Sequence, residues 1–413
     1  MDGNVYFVDW NGDVYSANIV NGSSNWAVNL GYPISSTPEI VNGIIYIGLS
    51  PNLQTEVFAL SQKDGHTIWN TKIKTTSKQI WSSPIFYNGL IYIGVTGDNP
   101  NDTESNASIV GGIYALNASN GNLVWNFNTM ISNTGGDGVW SSVVVDPTLG
   151  SIYFGTGNPY ISANNPYKKN SSGLLYSYSI ISLNATNGKL NWYYQAYNSF
   201  QAGGDFDFGS TPNLFTITSN GITYNVIGLG NKDGSYYILN RVNGKFINKF
   251  SISNGTEDGI IGLAGFIYLS ETQVNPELFI PSQYSSKNGS YGGVVEALYP
   301  SNGSIKWKFF TNGNLEGSVS IIPGAVIFGD NTGNLYVVSI LNGTQLFHTT
   351  FVRNIVGGIT PADGYLFVPT AFGSQGEAGL YEFSIQQGNK EIQHNQGIIA
   401  KIITFIIEFF KSL

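Results

Sequence analysis

The strongest constraint on this chain is a unit that returns along nearly all of it. The unit is an apolar strand around a tyrosine or similar residue, a turn ending in glycine, then three residues and an aromatic. It reads "DVYSANIVNGSSNW" to Trp26, "EVFALSQKDGHTIW" to Trp69, "GIYALNASNGNLVW" to Trp125 and "SIISLNATNGKLNW" to Trp192. It continues as "SYYILNRVNGKF" to Phe246, "VVEALYPSNGSIKW" to Trp307 and "NLYVVSILNGTQLF" to Phe347, and weakens in "GLYEFSIQQGNKEI". Self-similarity at a period of roughly 40 to 50 residues means that one supersecondary unit is stacked many times, because one small sheet cannot bury both of its faces alone.

Seven units are preceded by another hairpin-like pair, as in "STPEIVNGIIYIGLS" from Ser36 and "SSPIFYNGLIYIGVTG" from Ser82, with the others beginning near Val143, Pro212, Leu278, Val319 and Ile359. Each unit therefore supplies four short strands separated by Gly, Asn and Asp turns. A ring of such units protects the edges that an open stack would expose. The expected fold is all-β: an eight-bladed β-propeller of four-stranded antiparallel blades over residues 1–396, with the repeated aromatics wedged between blades. The first unit, starting at "NVYFVD", lacks an inner strand, and the C-terminal segment is the piece available to fill that place.

That segment, "GIIAKIITFIIEFFKSL" over 397–413, is apolar with Lys401, Thr404, Glu408 and Lys411 on one helical stripe. It reads as an amphipathic helix on the propeller or a membrane surface, as a closing strand, or as a truncated anchor. It is short of the about 20 apolar residues of a membrane span. A shorter piece near His394–Ala400 is the alternative for closure.

Composition narrows the partners. Lys and Arg number 18 against 26 acids, and Arg241 and Arg353 are the two arginines. No cationic block could neutralise phosphates, so nucleic acid is excluded as a partner. There is no cysteine, hence no disulfide, thiolate metal site or cysteine nucleophile. Ten Asn-x-Ser/Thr sequons occur, at Asn21, Asn101, Asn106, Asn117, Asn170, Asn184, Asn254, Asn288, Asn302 and Asn342. With few cations and many Tyr and Asn, they point to an extracellular or cell-surface N-glycoprotein, although Asn-Gly turns also generate sequons by themselves. The sequence opens in a strand pattern, so any secretory leader is expected to be absent or removed.

The departures from the repeat are the functional candidates. "GGDGVWSSVVVDPTLGSIYFGTGNPY" holds an ordinary hairpin with its turn at Asp146–Gly150, flanked by the unusual "GDGVW" and "TGNP". Polar insertions follow at "TGDNPNDTESNAS" and "GTGNPYISANNPYKKNSSG", and "GGDFDFGSTPNLF" and "GLGNKDGSYYILNR" complete the set. Loops at one end of a propeller channel converge, so residues from several blades can share a pocket.

The repeat units together with "GVWSSVVVDPTLGSIYFGTGNP", "GDFDFG" and "NKDG" resemble the pyrroloquinoline-quinone (PQQ) dependent alcohol dehydrogenases and their PQQ-like propeller relatives, up to about residue 390. The resemblance implies eight blades, PQQ and Ca2+ near the axis, and extracytoplasmic oxidation of an alcohol or sugar with electrons passed to a separate acceptor. It implies that Trp140 carries the flat quinone, that Asn158 ligates the metal, and that Lys232 bonds the quinone oxygens. Asp207 matches the catalytic base best, with Asp205 the register alternative. The family's metal-binding glutamate falls on Asn106, with Glu104 the nearest acid, and its adjacent cysteine pair is missing. The chemistry agrees: a carboxylate takes the hydroxyl proton, a cation faces the developing charge, an apolar platform fixes the ring, and oxygen ligands suit Ca2+. The other classes are a non-catalytic secreted propeller binding a surface protein or glycan, and an assembly scaffold.

Overall fold

The computed structural model describes residues 3–49, 55–75, 79–96, 111–129, 138–159, 175–198, 205–219, 221–253, 259–269, 273, 275–285, 291–370, 379–386 and 405–406. Their strands form eight sheets, seven of four strands and one of three. Apart from one parallel pair in the eighth blade, the pairings within a sheet are antiparallel and join strands consecutive in the chain, as between β12 (Val144–Asp146), β13 (Ser151–Gly155), β14 (Ser179–Asn184) and β15 (Leu190–Gln195) of the fourth blade. The inner strands of neighbouring blades approach one another, for example β12 and β16 (Asn213–Ser219). This is the eight-bladed propeller that the repeat requires.

The core is distributed. Each boundary between blades holds its own apolar cluster: Ile113, Trp125, Phe154 and Leu183 meet between the third and fourth blades, and Tyr153, Trp192, Ile227 and Leu239 between the fourth and fifth. Ring closure between the eighth blade and the first is made by Val5 and Phe7 against Phe367 and Leu380.

The repeated tryptophan explains the spacing of the unit. Trp125 sits on the outer strand of its blade, tilts against Tyr92 of the same blade, and donates its indole N–H to Ala185 O of the next blade at 3.1 Å. Its ring lies on Gly188, whose φ is 69° and where a Cβ would stand 2.5 Å from Trp125 Cε3. Glycine is thus needed there twice over, for the left-handed turn and for the ring laid on it. Trp26, Trp69, Trp192 and Trp307 repeat the bond to the blade that follows.

Three expectations change. The wedge of the fifth blade is not Phe246, which lies two residues after Gly244 and pairs with Leu239; the tryptophan position, four residues after the glycine, holds Asn248. Phe246 stacks instead on Tyr194 of the fourth blade. The inner strand of the sixth blade is β20 (Gly265–Ile267), so the segment at Leu278 is its second strand, β21 (Glu277–Ser285). In the tail, Phe405–Ile406 is a strand and not a helix. It pairs parallel with Ile385–Gln386 on the outer side of the eighth blade, where the edge of β30 (Gly379–Gln386) offers open backbone groups. The first blade has three strands among the described residues and receives no inner strand from this pair. The rest of 397–413, and 394–400, lie outside them.

Antiparallel order fixes which loops share a face. Connections from outer to next inner strand and from second to third strand emerge on one face; the tight inner hairpin turns and the Asn-Gly turns emerge on the other. Asn21, Asn117, Asn184, Asn302 and Asn342, the sequons among the described residues, fall on the second face. There their side-chain oxygens accept backbone N–H groups of the turn, as from Ser23 to Asn21 at 2.9 Å and from Thr344 to Asn342 at 3.0 Å. Such turns need asparagine whether or not they carry sugar.

Removing one wedge should show its weight. Trp125→Ala is expected to lose about 3–5 kcal/mol of stability, read as a lower denaturant midpoint, whereas Trp125→Phe keeps the ring and loses about 1 kcal/mol for the bond. Equal midpoints for wild type and alanine variant would show that the ring does not depend on the wedge.

Candidate functional site

The loops of the first face bring together the fourth and fifth blades. Backbone pairing does the positioning: Phe208 N donates to Thr156 O at 3.1 Å, and Lys232 N to Asp207 O at 2.9 Å. The buried Thr156 hydroxyl donates to Tyr176 O at 2.5 Å and accepts Ser179 N at 2.9 Å, anchoring "GTGNP" to the third strand of its blade. Gly155 and Gly157 let the segment 207–208 come close. A Cβ at Gly155 would strike Phe208, and one at Gly157 would stand 3.2 Å from Asp207 Oδ1. Asn231 ties the lysine turn to the aspartates by donating its amide to Phe206 O at 2.7 Å.

Asp207 is the hub. Trp140 Nε1 donates to its Oδ2 at 3.0 Å, Asn158 N donates to its Oδ1 at 2.5 Å, and Lys232 Nζ lies 3.4 Å from Oδ2. Asp205 lies beside it, 2.7 Å from Lys232 Nζ. The side-chain amide of Asn158 stands against both carboxylates, 2.6 Å from Asp207 Oδ1 and 3.2 Å from Asp205 Oδ1 with its nitrogen turned toward them. Lys232 Nζ lies 5.1 Å from the Trp140 ring centroid, within cation–π range.

The two aspartates differ in access: the Asp207 side chain is 9% exposed and that of Asp205 38%. Burial pushes the Asp207 carboxyl up to about 6; Lys232 opposes this, Asp205 reinforces it, and the N–H groups of Asn158 and Trp140 work against it. Burial works against the Lys232 charge, but Asp207 and Asp205 outweigh it and hold the amine protonated well above its ordinary range.

Next to this cluster, and sharing Trp140 with it, a cavity of about 230 Å3 lies on the propeller axis. Trp81, Trp140, Gly209, Ile261, Glu316 and Val356 line it, each four residues before the inner strand of its own blade. The Trp140 indole lies over Gly209, where any side chain would collide with it. Asn331 donates to Glu316 Oε1 at 3.3 Å. Glu316 escapes motif reading, and Asn231 lies within "NKDG" without being singled out. For Glu316 the available signal is position, since "LEGSVS" stands where other blades have "IWSSPI" and "VWSSVV".

Trp140, Asn158, Asp205, Asp207 and Lys232 are thus brought into one cluster. Glu104 and Asn106 lie outside the described residues. Among the described residues no three acids or histidines converge on a metal site, and the Asn158 amide nitrogen and the Lys232 ammonium already face the Asp205 and Asp207 carboxylates. A calcium ion needs six to eight oxygens, so its further ligands would come from outside the described residues. Trp81 and Trp140 both line the cavity and offer the apolar faces that a flat ring system packs against.

Residues 72–278 match the family of glucose/ethanol/alcohol dehydrogenase β-propeller domains named for PQQ. The chain is 22% identical to the quinoprotein alcohol dehydrogenase PedH of Pseudomonas putida, over 98% of its own length and 75% of that protein's. The matches to the quinohemoprotein alcohol dehydrogenase ADH IIB of Pseudomonas putida, 27% identical, and to the dehydrogenase subunit of the quinone-type alcohol dehydrogenase of Komagataeibacter europaeus, 26% identical, each reach 32% of those proteins' length. The structure superimposes on the quinohemoprotein alcohol dehydrogenase ADHIIG of Pseudomonas putida with a TM-score of 0.73 at 16% identity, covering 90% of this chain and 69% of that one. On a europium-containing methanol dehydrogenase the TM-score is 0.71 at 16% identity, covering 90% and 81%. With the repeat, the eight blades and a family match spanning half of its residues, the chain belongs to the PQQ-type glucose/ethanol/alcohol dehydrogenase β-propeller family.

Proposed function

We propose that this propeller is an extracytoplasmic quinoprotein dehydrogenase that oxidises an alcohol or sugar hydroxyl with PQQ and a bound cation, Ca2+ first among them. The observation that carries the reading is the meeting of two carboxylates, an amide, a buried amine and an indole beside an axial cavity. Asn158 would hold the cation together with Glu104 or Asn106 of the inserted loop, which lie outside the described residues. Trp140 and Trp81 would flank the quinone, and Lys232 would bond its oxygens. When bound, the quinone supplies the hydride acceptor.

The roles of the aspartates follow from access. Asp207 is committed to Trp140, Asn158 and Lys232 and keeps that platform in place. Asp205 is the more exposed carboxylate, so it is the group that meets the substrate hydroxyl and takes its proton. This reverses the order suggested by motif matching. The Lys232 amine, 2.7 Å from the Asp205 carboxylate, holds that group in place beside the cavity. The propeller itself has no cysteine and so no haem-attachment motif, and in this reading its electrons pass to a separate acceptor. The surface sequons make an extracellular or cell-surface glycoprotein the matching location.

Purified protein should bind PQQ stoichiometrically in the presence of Ca2+, or of Eu3+, whose luminescence reports its own binding. Dye-linked alcohol oxidation should follow. Asp205→Asn is expected to keep cofactor binding and lose about 10²- to 10⁴-fold in turnover, the usual worth of a positioned base. No PQQ binding with either cation would refute the dehydrogenase reading and leave a binding module.

Acid should act through Asp207. Above about pH 6 its carboxylate is ionised and holds the Trp140 N–H and Lys232; as pH falls through that value it takes a proton and the charge-assisted hold weakens. The difference in fluorescence between wild type and Trp140→Phe should therefore titrate with a midpoint near pH 6, and turnover should fall with it. In Asp207→Asn the inflection should vanish; its persistence there would assign the titration to another group.

A further inference from the structure

Among the turns that join second to third strands, the one in the fifth blade is built differently. In the first and seventh blades that turn opens with a carboxylate, Asp9 or Asp330. Each accepts backbone N–H groups of its turn and the hydroxyl of one tyrosine of its own blade, Tyr15 at 3.2 Å or Tyr336 at 3.3 Å. In the fifth blade the opening residue is Asn231, whose amide donates to Phe206 O. The carboxylate stands two residues later, at Asp233, next to Lys232, and its side chain is 7% exposed.

Asp233 collects tyrosines from two blades. Tyr197, two residues past the outer strand of the fourth blade, and Tyr237, on β18 (Ser235–Asn240) of the fifth, each donate a hydroxyl to Asp233 Oδ2 at 2.7 Å. Lys249 Nζ lies 3.4 Å from the same oxygen, and Ser235 N donates to Oδ1 at 2.8 Å. A buried carboxylate is tolerated when it is paired and hydrogen-bonded in this way. Burial first, and the Asp233 carboxylate with it, hold both phenols well above their ordinary range, so both remain donors. The rings of these tyrosines meet the segment of the two aspartates. Phe206 stacks on Tyr197 with centroids 5.1 Å and planes 25° apart, and Phe208 meets Tyr237 edge-on at 5.0 Å. Phe206 and Phe208 alternate with Asp205 and Asp207, so each ring that is held restrains the acid before it in the chain.

We propose that Asp233 is a positioning residue of this site: by holding the Tyr197 and Tyr237 hydroxyls on one oxygen it seats Phe206 and Phe208, and so sets Asp205 and Asp207 against Lys232. Both partners of the Asp205–Lys232 ion pair then refer to a single carboxylate, the lysine through the chain and the aspartate through Phe206 and Tyr197. The displacement of the acid along the turn is what makes this possible. At the place of Asp9 or Asp330 it would serve one tyrosine of its own blade. The effect on turnover rests on the dehydrogenase reading; the clamp itself does not.

The test uses the full chain. Tyr197→Phe/Tyr237→Phe keeps both rings and every charge and removes the two donors. Trp140 reports on Asp207 through its bond, and its emission is isolated as the difference from the same protein carrying Trp140→Phe. In the double variant that emission should shift to the red, as Asp207 loosens and water reaches the indole. In PQQ-loaded protein kcat should fall about ten- to a hundredfold, the cost of a misplaced group, with KM for the alcohol and PQQ affinity kept. Should the double variant fail to fold, Tyr197→Phe alone should lower kcat in the same way. Tyr15→Phe, its counterpart in the first blade, should leave both readouts at wild-type values. A lower melting temperature with Trp140 emission and kcat unchanged, or equal changes in Tyr15→Phe, overturns the proposal. If wild type binds no PQQ the dehydrogenase reading fails, and Trp140 emission alone decides for or against the clamp.

Discussion

The structure depends on one contact, an indole laid across a glycine of the next blade with its N–H on that blade's carbonyl. It ties together units whose shared core is the apolar layer between them. Each small sheet exposes two apolar faces, and the tryptophan both fills the gap between neighbours and fixes their spacing, because the ring fits only against a glycine and its donor reaches only one acceptor. Made by five blades, it sets the spacing of the inner strands on either side of those boundaries. The inner strands in turn set where the channel loops meet. The functional cluster is thus a consequence of packing far out on the blades.

Within the cluster the same economy applies to charge. A carboxylate buried like Asp207 is costly unless paired and hydrogen-bonded, and here a lysine, an indole and a backbone N–H compensate it. That compensation has a geometric product: Trp140, Asn158 and Lys232 are all referred to one atom group. Asp205, two residues away, shares the lysine but stays accessible. Two acids with the same chemistry thus differ in solvent access and in the donors they accept, and under the proposed function that difference makes one the anchor and the other the reactive group.

Much of the fold could be read from the chain because the period, the turn glycines and the aromatic positions all point to the same stacking. The errors arose where identity was followed in place of spacing. Phe246 is aromatic but two residues early, and the polar Asn248 occupies the wedge; the apolar run at Leu278 hid a short inner strand at Gly265–Ile267. The tail resisted because a run rich in isoleucine and phenylalanine satisfies a helical stripe and a strand equally well. For the site, the motifs identified which residues would be near one another, but not their order of exposure. That depends on which aspartate accepts the Trp140 and Asn158 N–H groups, a tertiary fact. Glu316 and Trp81 were invisible as motifs because they share a position in the blade and not a residue type.

The distributed core has a mechanical side. Between the third and fourth blades the apolar layer is broad and includes Trp125, Phe154 and Tyr176, whereas among the described residues the layer joining the eighth blade to the first is built on Ile19, Phe367 and Leu380. A closed ring under strain parts at its thinnest seam, and this one is where chain start and chain end are brought together. Opening there would leave the other seven layers intact, as a split washer keeps its shape while its gap widens. The axial cavity is bounded on that side by the eighth blade through Val356, so the blade that forms this seam also lines the cavity.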